Sequence, residues 1–155
     1  MDKQPIVLSQ EEFLESFEKV PRMAIDLLVH DFDGNFLLTR RNIEPCIGVW
    51  HIPGGFVLKN ETLCNCQKRI AQKELGIELT KAHNPCLVGA FDNIDGDPRG
   101  HCIELVYSFG IGSIEWTNTT LETMELKFFG MVPKQIGFKQ ERILMHFGYE
   151  MEGGK

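Results

Sequence analysis

No apolar run in this chain is long enough to span a bilayer, and its first residues, MDKQPIVLSQEEF, lack the apolar core of a secretion signal. A membrane partner is therefore not expected, and a cytoplasmic location is. Basic charge is in deficit, with 16 Lys and Arg against 22 Asp and Glu and a net charge of -6. Binding a nucleic-acid backbone needs clustered Lys and Arg, so that class of partner is excluded. A nucleotide is not, because a metal ion or a few local arginines can offset its repulsion by an acidic protein. The five cysteines (Cys46, Cys64, Cys66, Cys86 and Cys102) are odd in number and have no C-x-x-C spacing. Cys64 and Cys66 lie two apart on an expected helix and so point to different sides, which makes a poor metal clip. Repeats, linkers and low-complexity stretches are absent too. The 155 residues therefore read as one domain, 1–155, large enough to bury its own core.

What is present alternates between strand and helix signals. Ser9-Gln-Glu-Glu12 has the form of a capping box and opens a helix through about Lys19, over residues 10–19, with Pro21 ending it. Met23 to His30 reads as a buried strand, and the Asp31-Phe-Asp-Gly34 turn returns the chain into Asn35 to Arg41 as a hairpin. Val49 to Ile52 forms a short strand, after which Pro53-Gly54-Gly55 lets the backbone turn closely. A helix runs from Glu61 or Thr62 to Leu75 and stops at Gly76. Pro85 to Ile94 and His101 to Ile111 read as strands joined by the turn Asp95 to Gly100. A last strand near Leu126 to Val132 precedes a helix over Phe138 to Tyr149, and the tail from Glu150 is expected to fray. Interleaved strands and helices imply an α/β fold with a mixed sheet and helices on both faces.

One spacing carries chemistry. It runs Gly55, five residues, Glu61, seven residues, Arg69, then Glu74, Gly76 and Ile77. It resembles the Nudix box, G-x5-E-x7-R-E-U-x-E-E-x-G-U with U aliphatic, over residues 55–77, except that Ile70 and Lys73 stand where the pattern has Glu. The resemblance, to the MutT-like Nudix hydrolase superfamily, extends from Met23 to about Pro133. It implies an α/β/α sandwich and hydrolysis of a nucleoside diphosphate linked to another moiety, with Mg2+ or Mn2+ as cofactor. A diphosphate resists attack because its oxygens are negative, and a divalent ion held by oxygen ligands relieves that charge. On a helix, positions 70, 73 and 74 share a face, so the usual box presents three carboxylates and this one presents Glu74 alone. By the resemblance, Arg69 pairs with Glu61, and the Gly55 carbonyl, or Gly54 with the register moved by one, is a backbone ligand. Lys73 reads either as a solvated helix lysine or as an ammonium that supplies part of the charge of a missing second metal.

The likeness is greatest to the GDP-mannose mannosyl hydrolase branch, which also carries an aliphatic residue after the Arg and a single late Glu. Gln10-Glu-Glu-Phe13, Ile25-Asp26-Leu, Gly34-Asn-Phe-Leu-Leu-Thr-Arg-Arg41, Trp50-His-Ile-Pro-Gly-Gly55 and Glu61-Thr-Leu63 carry it. It implies that Asp26 contacts the nucleotide or sugar and that Arg41 helps the leaving diphosphate. Phe56 stands where that branch has an Arg, Cys102 where it has a Tyr, and Thr123 where it has the general-base His. Glu122 and Glu125, in the loop before the last strand, are candidates to complete the metal shell, Glu122 first, or to act as base. Asp97-Pro-Arg-Gly100 is similar to a segment of ADP-ribose-type Nudix proteins, which makes Arg99 a phosphate contact and His101 a candidate base; His51 is another. Two readings stay open, a hydrolase of a nucleotide-linked substrate such as a nucleotide sugar and a catalytically weakened nucleotide-binding module. Attack at phosphorus or at carbon stays open, as does a homodimer.

Overall fold

The computed structural model describes residues 3–112 and 120–154. Its centre is β1 (Arg22–His30), buried from Ala24 to Val29 on both faces. That is why this stretch reads as a continuous apolar run broken only by Asp26. β1 pairs in parallel with β6 (Cys102–Gly110), whose other edge carries β5 (Cys86–Asn93) antiparallel to it. On the opposite side β1 meets β2 (Phe36–Arg41) at His30 and Phe36. The two strands then part. β1 turns to the short β4 (Gly54–Phe56), while β2 takes β3 (Trp50–His51) and β7 (Thr123–Phe129). The sheet is thus split between β1/β4 and β2/β3, and the split is where polar side chains collect.

The two faces are covered as the alternation of strands and helices requires. Ile25, Leu27, Val29 and Leu37 pack under α2 (Leu63–Ile70) against Cys66 and Ile70. Leu28, Phe36, Leu38 and Val106 pack under α3 (Glu141–His146) against Ile143 and Leu144. This is the expected α/β/α arrangement with a mixed sheet. α1 (Gln10–Lys19) starts at the anticipated capping box, in which Ser9 Oγ accepts from the Glu12 N–H at 3.2 Å and Glu12 returns to the Ser9 N–H at 2.9 Å. Phe13 and Phe17 on its inner side meet Phe56 edge-on.

Several local expectations are corrected. The box helix is α-helical only from Leu63, capped by Thr62, to Ile70. Ala71–Leu75 then forms a wider π turn, closed by Gly76 at φ 66°. Widening rotates Lys73 outward, so 70, 73 and 74 do not share a face: Ile70 is in the core, Glu74 is buried and Lys73 is exposed. Gly54–Phe56 is a strand as well as a close turn. β7 begins at Thr123, ahead of the anticipated Leu126, because Arg41 pairs with Thr123 and the Asn42 N–H donates to the Glu122 carbonyl, which holds the chain in register earlier. α3 starts at Glu141 and not at Phe138, since Phe138 and Lys139 have φ of 58° and 54°, outside the helical region. The tail is tied down as far as Met151, which bridges Val132; its last residue, Lys155, lies outside the described residues. A 3-10 turn at Lys81–His83 has no counterpart in the sequence reading.

Candidate active site

At the split in the sheet a narrow cleft opens between β1, β3, β4 and the loops before β6 and α3. Asp26, Arg41, Phe56, Arg99 and Phe138 line it. Its cavity is about 50 Å³, room for the edge of a ring rather than a whole nucleotide, so most of a ligand would lie at the mouth.

The acid side of the site is built by the π turn. Glu74 Oε2 accepts the Thr39 hydroxyl at 3.1 Å and stands 3.6 Å from His51 Nε2. Burial, and next to it the charge of Glu122, push the Glu74 carboxyl up to about 8. Glu122 in turn has the Lys73 ammonium 3.6 Å away. The structure therefore brings Glu74, Glu122 and Lys73 together. His51 is also buried; Nδ1 lies 2.8 Å from the Ile52 carbonyl, and burial with the nearby Arg41 charge lowers its pKa to about 3. A neutral imidazole this reluctant to protonate is a poor general base at neutral pH.

The Glu61 and Arg69 pairing expected from the spacing is present as a fork, with Nε donating to Oε1 at 2.7 Å and a terminal nitrogen to Oε2 at 2.8 Å. The same terminal nitrogen donates to the Phe56 carbonyl at 2.8 Å, and the Leu58 N–H caps Glu61 at 3.0 Å. Burial works to raise the Glu61 carboxyl, but these bonds hold it below the usual range. The pair locks β4 to the helix and leaves Glu61 little freedom to ligate anything else.

Of the two candidate backbone ligands, the strand register favours Gly54. The Val57 N–H donates to the Met23 carbonyl and the Leu27 N–H to the Pro53 carbonyl. Alternation along an antiparallel ladder then commits Gly55 to Ile25 and turns the Gly54 carbonyl away from β1. Gly54, not Gly55, has the free carbonyl. Neither position tolerates a side chain: a Cβ at Gly54 would collide with the Asp26 carboxylate, and one at Gly55 would come 3.2 Å from Ile70.

Acidic and basic side chains line the cleft together. Asp26 accepts from Gln140 at 3.3 Å, and burial with the neighbouring Glu104 charge keeps its carboxyl well above the usual carboxylate range. Glu104 is paired with Arg142 and accepts from Asn93 at 3.3 Å. Arg41 is held by the Pro45 carbonyl at 2.7 Å and the Glu44 carbonyl at 3.1 Å, with its guanidinium 5.2 Å from the Phe138 ring. Arg99 forks onto Asp97 at 2.9 and 2.8 Å and lies 5.0 Å from the Phe56 ring. Phe56, where the resembling branch has Arg, thus stacks on a cation instead of being one.

Other candidates fall outside this constellation. Glu125 faces Arg40 at 3.6 Å and is half exposed, since Arg40 and Arg41 are consecutive strand residues and point to opposite sides of the sheet. His101 does not line the cleft, and its Nε2 is buried with no hydrogen-bond partner. Thr123 pairs with Arg41 across β2 and β7, and its buried hydroxyl is unpartnered. Sequence reasoning missed Thr39, Glu104, Gln140 and Phe138. A signal existed only for Glu104, a charged residue in a strand otherwise buried at alternate positions.

Among the described residues no group of three or more His, Cys, Asp or Glu side chains is placed to hold a metal ion. The Glu122 charge acts on the buried Glu74 carboxyl, so these two carboxylates are near one another. With the free Gly54 carbonyl they fit a single hard cation that keeps several waters, and do not fit a cluster of ions.

A model of the NUDIX domain matches residues 20–136. The low-salt glycan biosynthesis protein Agl8 of Haloferax volcanii is 38% identical over 79 residues, 51% of this chain and 50% of that protein. An ADP-ribose pyrophosphatase of Methanocaldococcus jannaschii is 30% identical over 131 residues, 82% of this chain and 73% of that protein. The crystal structure of a MutT NUDIX hydrolase from Burkholderia pseudomallei superposes with a TM-score of 0.67 at 26% identity, covering 83% of this chain and 98% of that one. The chain spans only half the length of Agl8.

Proposed function

The chain belongs to the Nudix family, and we propose that it is a hydrolase that separates a nucleoside diphosphate from a sugar joined to it, with one divalent ion, Mg2+ or Mn2+. GDP-mannose and ADP-ribose are the first substrates to test, the former from the motif resemblance and the latter from the Methanocaldococcus relative. The observation that carries the reading is the mixed lining of the cleft. Arg41 and Arg99 share it with the buried polar groups of Asp26, Glu104, Asn93 and Gln140. The two arginines suit the charge of a diphosphate, and a sugar edge would find partners for its hydroxyls in the polar groups beside them.

The chain's own residues divide the work accordingly. Arg41, already fixed by two backbone carbonyls, is placed to hold the diphosphate as charge develops on the leaving group. Glu74, Glu122 and the Gly54 carbonyl would hold the ion, with the Glu61 and Arg69 fork keeping β4 and the helix in register beneath it. A bound divalent ion would draw charge from the diphosphate oxygens, easing attack on the molecule and departure of the product. Phe138 and Phe56 give the mouth two apolar faces against which a ring can lie. Glu122, the more exposed of the two acids, is the better candidate to take a proton from water.

One observation favours the second reading, a nucleotide-binding module of low activity: Lys73 already occupies the vicinity of Glu122. Turnover of a panel of nucleotide sugars, ADP-ribose and dinucleoside polyphosphates in oxygen-18 water with magnesium separates the two. Hydrolysis of the sugar-linked members supports the enzyme, with label in phosphate meaning attack at phosphorus and label in sugar attack at carbon. Nucleotide binding without turnover supports the module. A cytoplasmic location accords with either reading.

A further inference from the structure

The usual box surrounds its metal-facing carboxylate with other acids, and this chain has Ile70 and Lys73 in their places. Something else has to hold Glu74, since a carboxylate at the end of a flexible side chain binds a metal well only when its orientation is fixed. That support comes from the sheet. Thr39 on β2 and His51 on β3 are direct cross-strand partners. The Thr39 hydroxyl lies 3.1 Å from Glu74 Oε2 and 3.1 Å from His51 Nε2, and Thr39 has no exposed surface.

The donors and acceptors fix the order of this chain of contacts. His51 Nδ1 faces the Ile52 carbonyl at 2.8 Å, and a carbonyl can only accept, so Nδ1 carries the proton. Nε2 is then an acceptor. The single Thr39 proton is set between two acceptors, an imidazole nitrogen and a carboxylate oxygen, and a bond to an ionised acceptor is about twice as strong as a neutral one. The hydroxyl therefore turns to Glu74 whenever Glu74 is ionised, as it must be to ligate a cation.

We propose that Thr39 is the positioning residue that orients the Glu74 carboxylate for the divalent ion, a task that Ile70 and Lys73 cannot perform. The inference rests on the functional reading above, because it presumes that Glu74 is a ligand. Valine matches threonine in shape without the hydroxyl, and serine keeps the hydroxyl without the methyl, so T39V and T39S separate the bond from the packing. The probe is Mn2+ alone, titrated by calorimetry into the full chain without substrate. T39V is expected to bind Mn2+ roughly tenfold to a hundredfold more weakly than wild type, and T39S within about threefold of it. In turnover, the half-saturating metal concentration rises in T39V and the KM for the nucleotide substrate stays unchanged. Wild-type affinity in T39V, or a loss in T39S as large as in T39V, overturns the role of the hydroxyl. A wild type that binds no Mn2+ contradicts the functional reading and removes this inference with it. Binding by wild type with T39V equal to it contradicts this inference alone.

Discussion

A carboxyl group sealed against Thr39 and His51 must either keep its proton or meet a cation. For Glu74 the consequence is a pH-dependent stability whose sign can be worked out. Its folded pKa of about 8 lies above the ordinary value of 4.5, so between those values the native state holds a proton that the unfolded chain has lost. This group's contribution is full below 4.5 and is lost as pH rises to about 8, at up to about 1.4 kcal/mol per unit. His51 has the opposite slope, since its folded pKa of about 3 lies below 6.5 and stability falls as pH drops through that window. The two offset each other between 4.5 and 6.5, which leaves a net loss from 6.5 to 8 in the metal-free protein. In EDTA, E74Q should remove that loss and melt higher than wild type at pH 8.5, while its turnover falls by more than about a hundredfold. Melting curves across pH check the first statement. An unchanged slope above 6.5 would show that Glu74 is not the group responsible. Lys73 is testable alone: K73E frees Glu122 and adds an acid, so Mn2+ should bind more tightly, and identical titrations would mean that the ammonium has no part in the site.

At the scale of elements, the box helix owes its function to where it stops being an α-helix. The π turn at Ala71–Leu75 buries Glu74 and turns Lys73 out, and nothing in the spacing of residues 61–77 encodes that rotation. What the spacing does encode is the Glu61 and Arg69 fork and the left-handed Gly76, because each depends on residues close together in sequence, in the box helix or the turn before it. Thr39 and Gln140 were illegible for the opposite reason. Thr39 meets Glu74 across 35 positions and Gln140 meets Asp26 across 114, and no local pattern announces such meetings. Phe138 was read as helical since its sequence context is helical, and its φ of 58° reflects the loop that Asn93 holds through the Phe138 carbonyl at 3.0 Å. The strand β4 makes its own prediction. G54A places a methyl against Asp26 and 2.9 Å from the Ile25 carbonyl, so it should cost roughly 1–3 kcal/mol of stability, read as a lowered urea midpoint. T62A removes the helix N-cap and should cost about 1 kcal/mol with Mn2+ affinity unchanged; a large loss of affinity would tie the helix start to the site more closely than the geometry does.

For the whole molecule, the fold was legible because its elements repeat simple signals: the buried run of β1, the turns at Gly34 and Gly100, and the apolar stripe of each helix. The site was half legible, since the motif led to Glu61, Arg69, Glu74 and the cleft arginines and missed most of the polar lining. The arginines and polar groups of the cleft, with a single ion at Glu74 and Glu122, are together proposed to cleave a sugar-linked nucleoside diphosphate. The most direct measurement is the hydrolysis rate of GDP-mannose and of ADP-ribose against magnesium concentration. The account predicts no turnover in EDTA, a rate that saturates with a Hill coefficient near 1 as one ion requires, and little hydrolysis of a nucleoside triphosphate. Nucleotide binding with no turnover at any magnesium concentration, or a triphosphate cleaved faster than either sugar-linked substrate, would contradict it.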